Sequence, residues 1–217
     1  MSDIFSEVDE EVRREQLKRL WERYGSLLIA ACVLLVVGVA GWRGYEWWEA
    51  KKAAEAGNAF QAAAALAGEG KNKEAEEAFA KIASTGTASY RMLAKFREAG
   101  EVAGRDPKAA VAIYDQLAAD GSVGRVLQDL AALRAGTILI DTAPYSEIAQ
   151  RLEPLTAGDR TFRHSARGAL ALSAWRTKDM TAMRKWSDMV MADPETPPNT
   201  RGQVQMLLAL ADADQKS

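Results

Sequence analysis

Chemistry at neutral pH draws first on histidine and cysteine, and this 217-residue chain holds one of each, His164 and Cys32. A lone imidazole works as a general base only beside a nucleophile or a metal. A zinc site of the usual kind needs three or four His or Cys ligands, more than this composition supplies. His164 stands between Arg163 and Arg167, and is expected to be a surface or half-buried histidine on a helix. The serines have no His and Asp partner set, and no GxSxG occurs. Phosphate-cradling patterns, GxxxxGK[ST] or GxGxxG after a strand, are missing too. Acidic pairs such as Glu76-Glu77 read as a solvated helix face. The expectation is a protein that is not an enzyme, with no catalytic, metal or cofactor-binding residues, no cofactor and no small-molecule substrate. An enzyme with an unrecognised site is the contrasting reading, to be raised by a pocket rimmed with groups of perturbed titration.

Composition narrows the class further. Lys and Arg number 28 against 30 Asp and Glu, a net charge of −2, so there is no basic footprint for nucleic acid. With Gly at 16, Pro at 6 and a single Cys, neither a collagen-like chain nor a disulfide scaffold fits. The averages conceal an uneven distribution: four of the six Trp (Trp21, Trp42, Trp47 and Trp48) fall early, around the longest apolar run.

That run, Gly25 to Trp42, reads GSLLIAACVLLVVGVAGW, 18 residues without a charge. As a helix it is about 27 Å long, close to the ~30 Å hydrocarbon core of a bilayer. Trp21 and Tyr24 stand at one end, and Trp42, Tyr45, Trp47 and Trp48 at the other, as membrane-interface anchors. A cleaved signal peptide fits less well, because the preceding stretch carries seven acids, although Gly38 and Ala40 have cleavage-like spacing. Arg13, Arg14, Lys18, Arg19 and Arg23 precede the run, whereas Arg43, Lys51 and Lys52 follow it. This bias predicts a cytoplasmic N-terminus and a C-terminal part outside, which in a bacterial cell is the periplasm. Cys32 lies within the run and reads as a small packing residue.

Three regions are expected: a cytoplasmic amphipathic arm (1–23), a transmembrane helix with aromatic flanks (24–48) and a helical repeat domain (49–217). The arm places Ile4, Phe5, Val8, Val12, Leu17 and Leu20 mostly three to five residues apart, opposite a charged face. In the last region one pattern recurs at i, i+4 and i+7: Ala75, Phe79, Ile82; Ala110, Tyr114, Leu117; Ile148, Leu152, Leu155; Ala182, Trp186, Met189. The offsets are 35, 38 and 34 residues, and this spacing puts each trio on one helix face. A period of about 34 with helix–turn–helix punctuation is the mark of tetratricopeptide-type repeats. Intervening helices are expected at 87–103, 123–140, 159–176 and 198–214. The fold class is therefore all-α: arm, single transmembrane helix, then a tetratricopeptide-like solenoid of stacked hairpins. An irregular helical bundle is the plainer alternative. Solenoids offer a groove for extended peptides or partner helices. Its candidate residues, taken from the first helix of each pair, are Tyr90, Arg91, Lys95, Phe96, Arg125, Gln128, Arg163, His164 and Arg167.

The opening MSDIFSEVDEEVRREQLKRLWERYG, the span ending in GWRGYEWWE and the Ala-rich repeats together resemble the YfgM-type ancillary subunits of the bacterial Sec translocon. The resemblance covers nearly the whole chain. It implies a single-pass inner-membrane scaffold with a periplasmic tetratricopeptide-like domain. The implied partners are SecYEG translocon subunits, a PpiD-like periplasmic chaperone and the lipid bilayer. The implied role is to pass newly translocated chains to periplasmic folding factors. A scaffold for envelope or cell-division machinery is the alternative. No site residue follows from the family.

Overall fold

The computed structural model describes the backbone of residues 3–214, and side chains at residue 18 and over 21–213. All described elements are helical: α1 (Asp3–Gly68), α2 (Asn72–Thr85), α3 (Ala88–Ala103), α4 (Pro107–Ala119), α5 (Arg125–Leu139), α6 (Tyr145–Leu152), α7 (Arg163–Arg176), α8 (Met180–Ala192) and α9 (Pro198–Asp214). Two short 3₁₀ turns, Gly121–Val123 and Glu153–Thr156, follow α4 and α6. The chain divides into two compact units, one ending at Ala54 and one starting at Glu55.

In the first unit α1 is long and apolar enough to cross a membrane, and only 6% of its most apolar stretch is buried. Leu34 is 73% exposed, and Leu35, Val36 and Val37 are similar. The arm's side chains at residues 3–17, 19 and 20 lie outside the described residues, so its amphipathic pattern has no structural counterpart here.

In the second unit helices pack chiefly on their neighbours in sequence, α2 on α3, α3 on α4, α4 on α5 and so on to α8 on α9, with α9 also touching α7. The recurring trio explains why. Ala75, Phe79 and Ile82 are buried on α2, Ala110, Tyr114 and Leu117 on α4, and Ile148, Leu152 and Leu155 on α6 and the turn after it. The fourth copy is slipped. Trp186 is buried, but Ala182 is half-buried and Met189 exposed, and Met183 and Val190 fill the core positions instead. With Trp186 as the fixed point, i−3 and i+4 lie on the same face as i−4 and i+3, so the slip rotates α8 slightly without losing its apolar stripe.

Alanine holds much of the interior. Ala63, Ala94, Ala99, Ala131, Ala135, Ala166, Ala171 and Ala174 are all fully buried. Small side chains let helices approach closely, and at Gly136 an added Cβ would stand 2.7 Å from Leu152 Cδ2, so α5 there admits the α6 side chain only as glycine. The core falls into three clusters. One gathers Ala63, Ala75, Phe79, Ile82 and Ala94, a second centres on Tyr114 and Leu117, and the largest surrounds Leu152, Leu170, Met183 and Trp186. The last part of α1 belongs to the first cluster, through Phe60, whose ring meets Phe79 edge-on at 5.3 Å and Tyr90 at 6.0 Å.

Local chemistry sets the helix ends. Asp106 caps α4 by accepting from Ala109 N at 3.0 Å, with Pro107 in the first turn, and Asp179 caps α8 by accepting from Ala182 N at 2.9 Å. Helix α1 closes with Lys71 N on Leu66 O (3.0 Å) around Gly70, whose φ is 75°. Helix α7 closes the same way, Asp179 N on Ala174 O at 2.9 Å, but with Lys178 at φ 63° in the position glycine usually fills. That substitution costs about 1 kcal/mol of backbone strain. Helix α7 starts at Arg163, four residues later than the periodicity suggests, because residues 157–160 turn back with Arg160 N on Ala157 O at 3.0 Å.

Candidate functional site

Helix α3 delivers Arg91 and Lys95 to one face, one turn apart. That face, the ends of α2 and α4 and the following 3₁₀ turn together line a cavity of about 550 Å³. Met92, Leu117 and Val123 give it an apolar lining, and Ser84, Ser89 and Ser122 add hydroxyls. Among the described residues neither Arg91 nor Lys95 makes an ion pair or a side-chain hydrogen bond. The one acid in the lining, Asp120, is already engaged. Its Oδ1 accepts from Ser122 Oγ at 2.6 Å and Ser122 N at 2.9 Å, and these bonds, aided by Lys95, hold its carboxyl below the usual range.

The other candidate groove residues all have contacts within the domain. Tyr90 is half-buried against Phe60. The Phe96 ring lies 5.9 Å from that of Tyr114, whose hydroxyl donates to the Phe96 carbonyl at 3.4 Å. Arg125 is exposed, 3.7 Å from Asp159, and Gln128 Nε2 donates to Asp120 O at 3.1 Å.

Arg163, His164 and Arg167 converge on the α8–α9 connection. Arg167 donates to Asp193 Oδ2 and to Thr156 O, both at 2.9 Å, while Arg163 pairs with Glu195 and approaches Asp193 at 3.5 Å. From α9, Arg201 donates to the carbonyls of Met191 and Asp193, each at 2.8 Å. His164 is buried, not the surface or half-buried residue expected from sequence, and its Nδ1 lies 3.1 Å from Thr196 Oγ1. Because that hydroxyl spends its single proton on Val190 O at 2.8 Å, it must accept from His164, which fixes the Nδ1–H tautomer. Burial, then the Arg163 charge, lowers the imidazole's proton affinity, with Asp193 and Glu195 opposing and Arg167 adding to the effect.

His164, Asp193 and Glu195 bring one ligand atom each within 4.8 Å, a donor set able to hold a metal ion. Here, however, both carboxylates are already neutralised by Arg163 and Arg167, and the imidazole nitrogen facing them carries a proton. The arrangement is that of an ion-pair clamp tying α7 to the residues between α8 and α9. Sequence reasoning missed it because the partners lie about thirty residues away and no local spacing links them.

In the first unit all six aromatic anchors, Trp21, Tyr24, Trp42, Tyr45, Trp47 and Trp48, are exposed. Trp42 Nε1 donates to Glu46 at 2.9 Å, and Lys52 Nζ sits 3.6 Å from the Trp48 ring centroid, with Lys51 over Trp47 and Arg23 over Tyr24 at longer range. These pairs place charge beside four of the six rings, which suits side chains with an apolar body and a wet edge.

A family model described as a tetratricopeptide repeat-like domain matches residues 18–168. No curated protein matches the chain, and no solved structure does.

Proposed function

The chain belongs to the tetratricopeptide repeat-like domain family, and on that premise we propose that it is a non-enzymatic scaffold anchored in a membrane by α1. Such repeats are protein–protein interaction modules, since helix pairs present extended surfaces in place of an enclosed active site. The observation that carries the reading is the union of this family match with a helix whose apolar side chains find no protein to pack on.

The proposed order is a cytoplasmic arm over 1–23, a span over 24–48 seated by its Trp and Tyr flanks, and a periplasmic solenoid over 49–217. The resemblance of the arm and span to YfgM-type subunits supports a place beside SecYEG in the bacterial inner membrane. It also supports a role in linking translocated chains to a PpiD-like chaperone. Mild-detergent purification of the tagged chain is expected to bring down Sec channel subunits. Their absence, with cell-division or cell-wall proteins crosslinked instead, would overturn the translocon assignment. A reporter active only outside the cytoplasm, fused after the C-terminus, is expected to be active; activity only in the N-terminal fusion would reverse the topology.

A further inference from the structure

We propose that the stretch of α1 that leaves the bilayer, Gly41 to Lys52, seats a phospholipid with a net negative headgroup on its Lys51 and Lys52 side. This rests on the reading of α1 as a membrane span and adds to it a preference for one class of lipid.

Charge is the first argument. At 3.6 residues per turn, Tyr45, Trp47, Trp48, Lys51 and Lys52 fall within about half of the helix circumference, and Trp42, Glu46 and Glu49 lie on the other half. The contacts follow this division. The Tyr45 and Trp48 rings are 6.2 Å apart, Lys52 Nζ is 3.6 Å from the Trp48 centroid, and Lys51 Nζ is 5.6 Å from that of Trp47. On the acidic side Glu46 accepts from Trp42 Nε1 at 2.9 Å and lies 3.5 Å from Arg43. Arg43 is thus paired. Among the described residues neither Lys51 nor Lys52 makes an ion pair, although Glu49 and Glu55 stand within about a turn of them. A negative headgroup meets two exposed ammonium groups on one side of the helix and two carboxylates on the other, so it is directed to the first.

Depth is the second argument. Measured from Gly25, a ~30 Å hydrocarbon core ends about 20 residues on, and the headgroup layer fills the next ~5–7 Å, the level of Tyr45 to Trp48. The backbone of Lys51 and Lys52 lies beyond that layer. Helical side chains lean toward the N-terminus, here toward the bilayer, and the ring contacts draw both lysine stems back by one turn. The ammonium groups thereby come to the level of the lipid phosphates.

Shape is the third. Gly41 and Gly44 lie seven and four residues before Trp48, on the same side, and an added Cβ at either would meet nothing within 4 Å. Bare backbone beneath the rings leaves a shallow trough for the first carbons of an acyl chain. At the same offsets before Glu46 stand Val39 and Trp42, which fill that space on the acidic side.

The test reconstitutes the full chain carrying Trp21→Phe into phosphatidylcholine vesicles, which leaves Trp42, Trp47 and Trp48 as the tryptophans of α1. A minor share of the lipid is phosphatidylglycerol or phosphatidylcholine brominated high on the acyl chain. Quenching of tryptophan fluorescence reads which lipid stands beside the helix. Brominated phosphatidylglycerol is expected to associate about fivefold more strongly, the factor one surface lysine contributes, and the preference should shrink with added salt. Lys51→Gln/Lys52→Gln should equalise the two lipids. Glu46→Gln/Glu49→Gln should keep or increase the preference, and Lys18→Gln/Arg23→Gln should leave it unchanged. A preference that survives Lys51→Gln/Lys52→Gln, or is lost only in Lys18→Gln/Arg23→Gln, would overturn the proposal. Loss of the preference on adding inorganic phosphate, with ionic strength matched by chloride, would assign the lysines to a free anion and overturn it as well. Equal quenching by both lipids removes this inference and keeps the span, whereas quenching by neither takes α1 out of the bilayer and removes both.

Discussion

The same residue types are arranged in opposite senses in the two units. Before Ala54, Leu, Val and Trp side chains cover the outside of a helix, and beyond Glu55 they are drawn inward around alanine. Free energy per unit apolar area is similar whether the surface is removed from water by protein or by lipid. The two arrangements therefore differ in specificity: a core demands complementary shapes, whereas hydrocarbon accepts any apolar side chain and rejects charge.

The largest test of that contrast deletes equivalent bulk from each unit. Phe79→Ala removes a fully buried ring and should cost about 3–5 kcal/mol, lowering the melting temperature of the full chain in detergent by about 10 °C. Leu35→Ala, in the exposed apolar stretch, should leave that melt unchanged. A comparable loss from Leu35→Ala would mean that α1 packs on protein. Leu35→Arg inverts the demand. It should cost about 3 kcal/mol of membrane insertion and shift the chain toward the alkaline carbonate-soluble fraction, with the melt of the repeat domain untouched.

A smaller effect separates polar networks from cores. Arg167→Ala deletes two hydrogen bonds and leaves Asp193 short of a cation, so the melt should fall by several degrees, whereas Arg105→Ala at an exposed pair should barely move it. The smallest effect is with pH. Unfolded His164 takes up its proton near the ordinary 6.5, and folded His164 only at lower pH. The unfolded state therefore binds more protons in that interval, and stability is lost as pH falls through it. Between about pH 7.5 and about pH 5.5 the melting temperature should drop more than in His164→Asn. Equal drops would remove His164 from the account. The apolar stretch has no Asp, Glu, His, Lys or Arg between Gly25 and Trp42 to join this titration.

Local periodicity made much of this architecture legible. Three of the four trios are buried as their spacing requires, and α3, α5 and α9 begin and end within two residues of the expected bounds. What periodicity reads poorly is a slip of one position, since i±3 and i±4 are both on-face, and so Met189 was exchanged for Val190. Long-range polar pairing left no trace either. Glu76 reads from sequence as a solvated acid, whereas Arg105, from the turn before α4, meets it at 2.7 Å. Phe60 and Ala63 join the end of α1 to the first core cluster, a contact outside the recurring trios, the first of which starts at Ala75. Of the candidate groove residues, Arg91 and Lys95 share a cavity while Tyr90 and Phe96 serve packing, a division that depends on which side of α3 meets α2 and α4.

Three separate clusters in one domain also imply that resistance to opening is graded along the chain. The first relies on five buried residues, three of them alanine, and the last on twelve, including Trp186 and four aliphatic or sulfur-bearing side chains fully withdrawn from water. Amides of α2 and α3 should therefore exchange with deuterium through excursions too small to expose α7 and α8. The domain behaves as a series of linked cooperative units, in which the stretch that holds Arg91 and Lys95 yields first and the His164 clamp last.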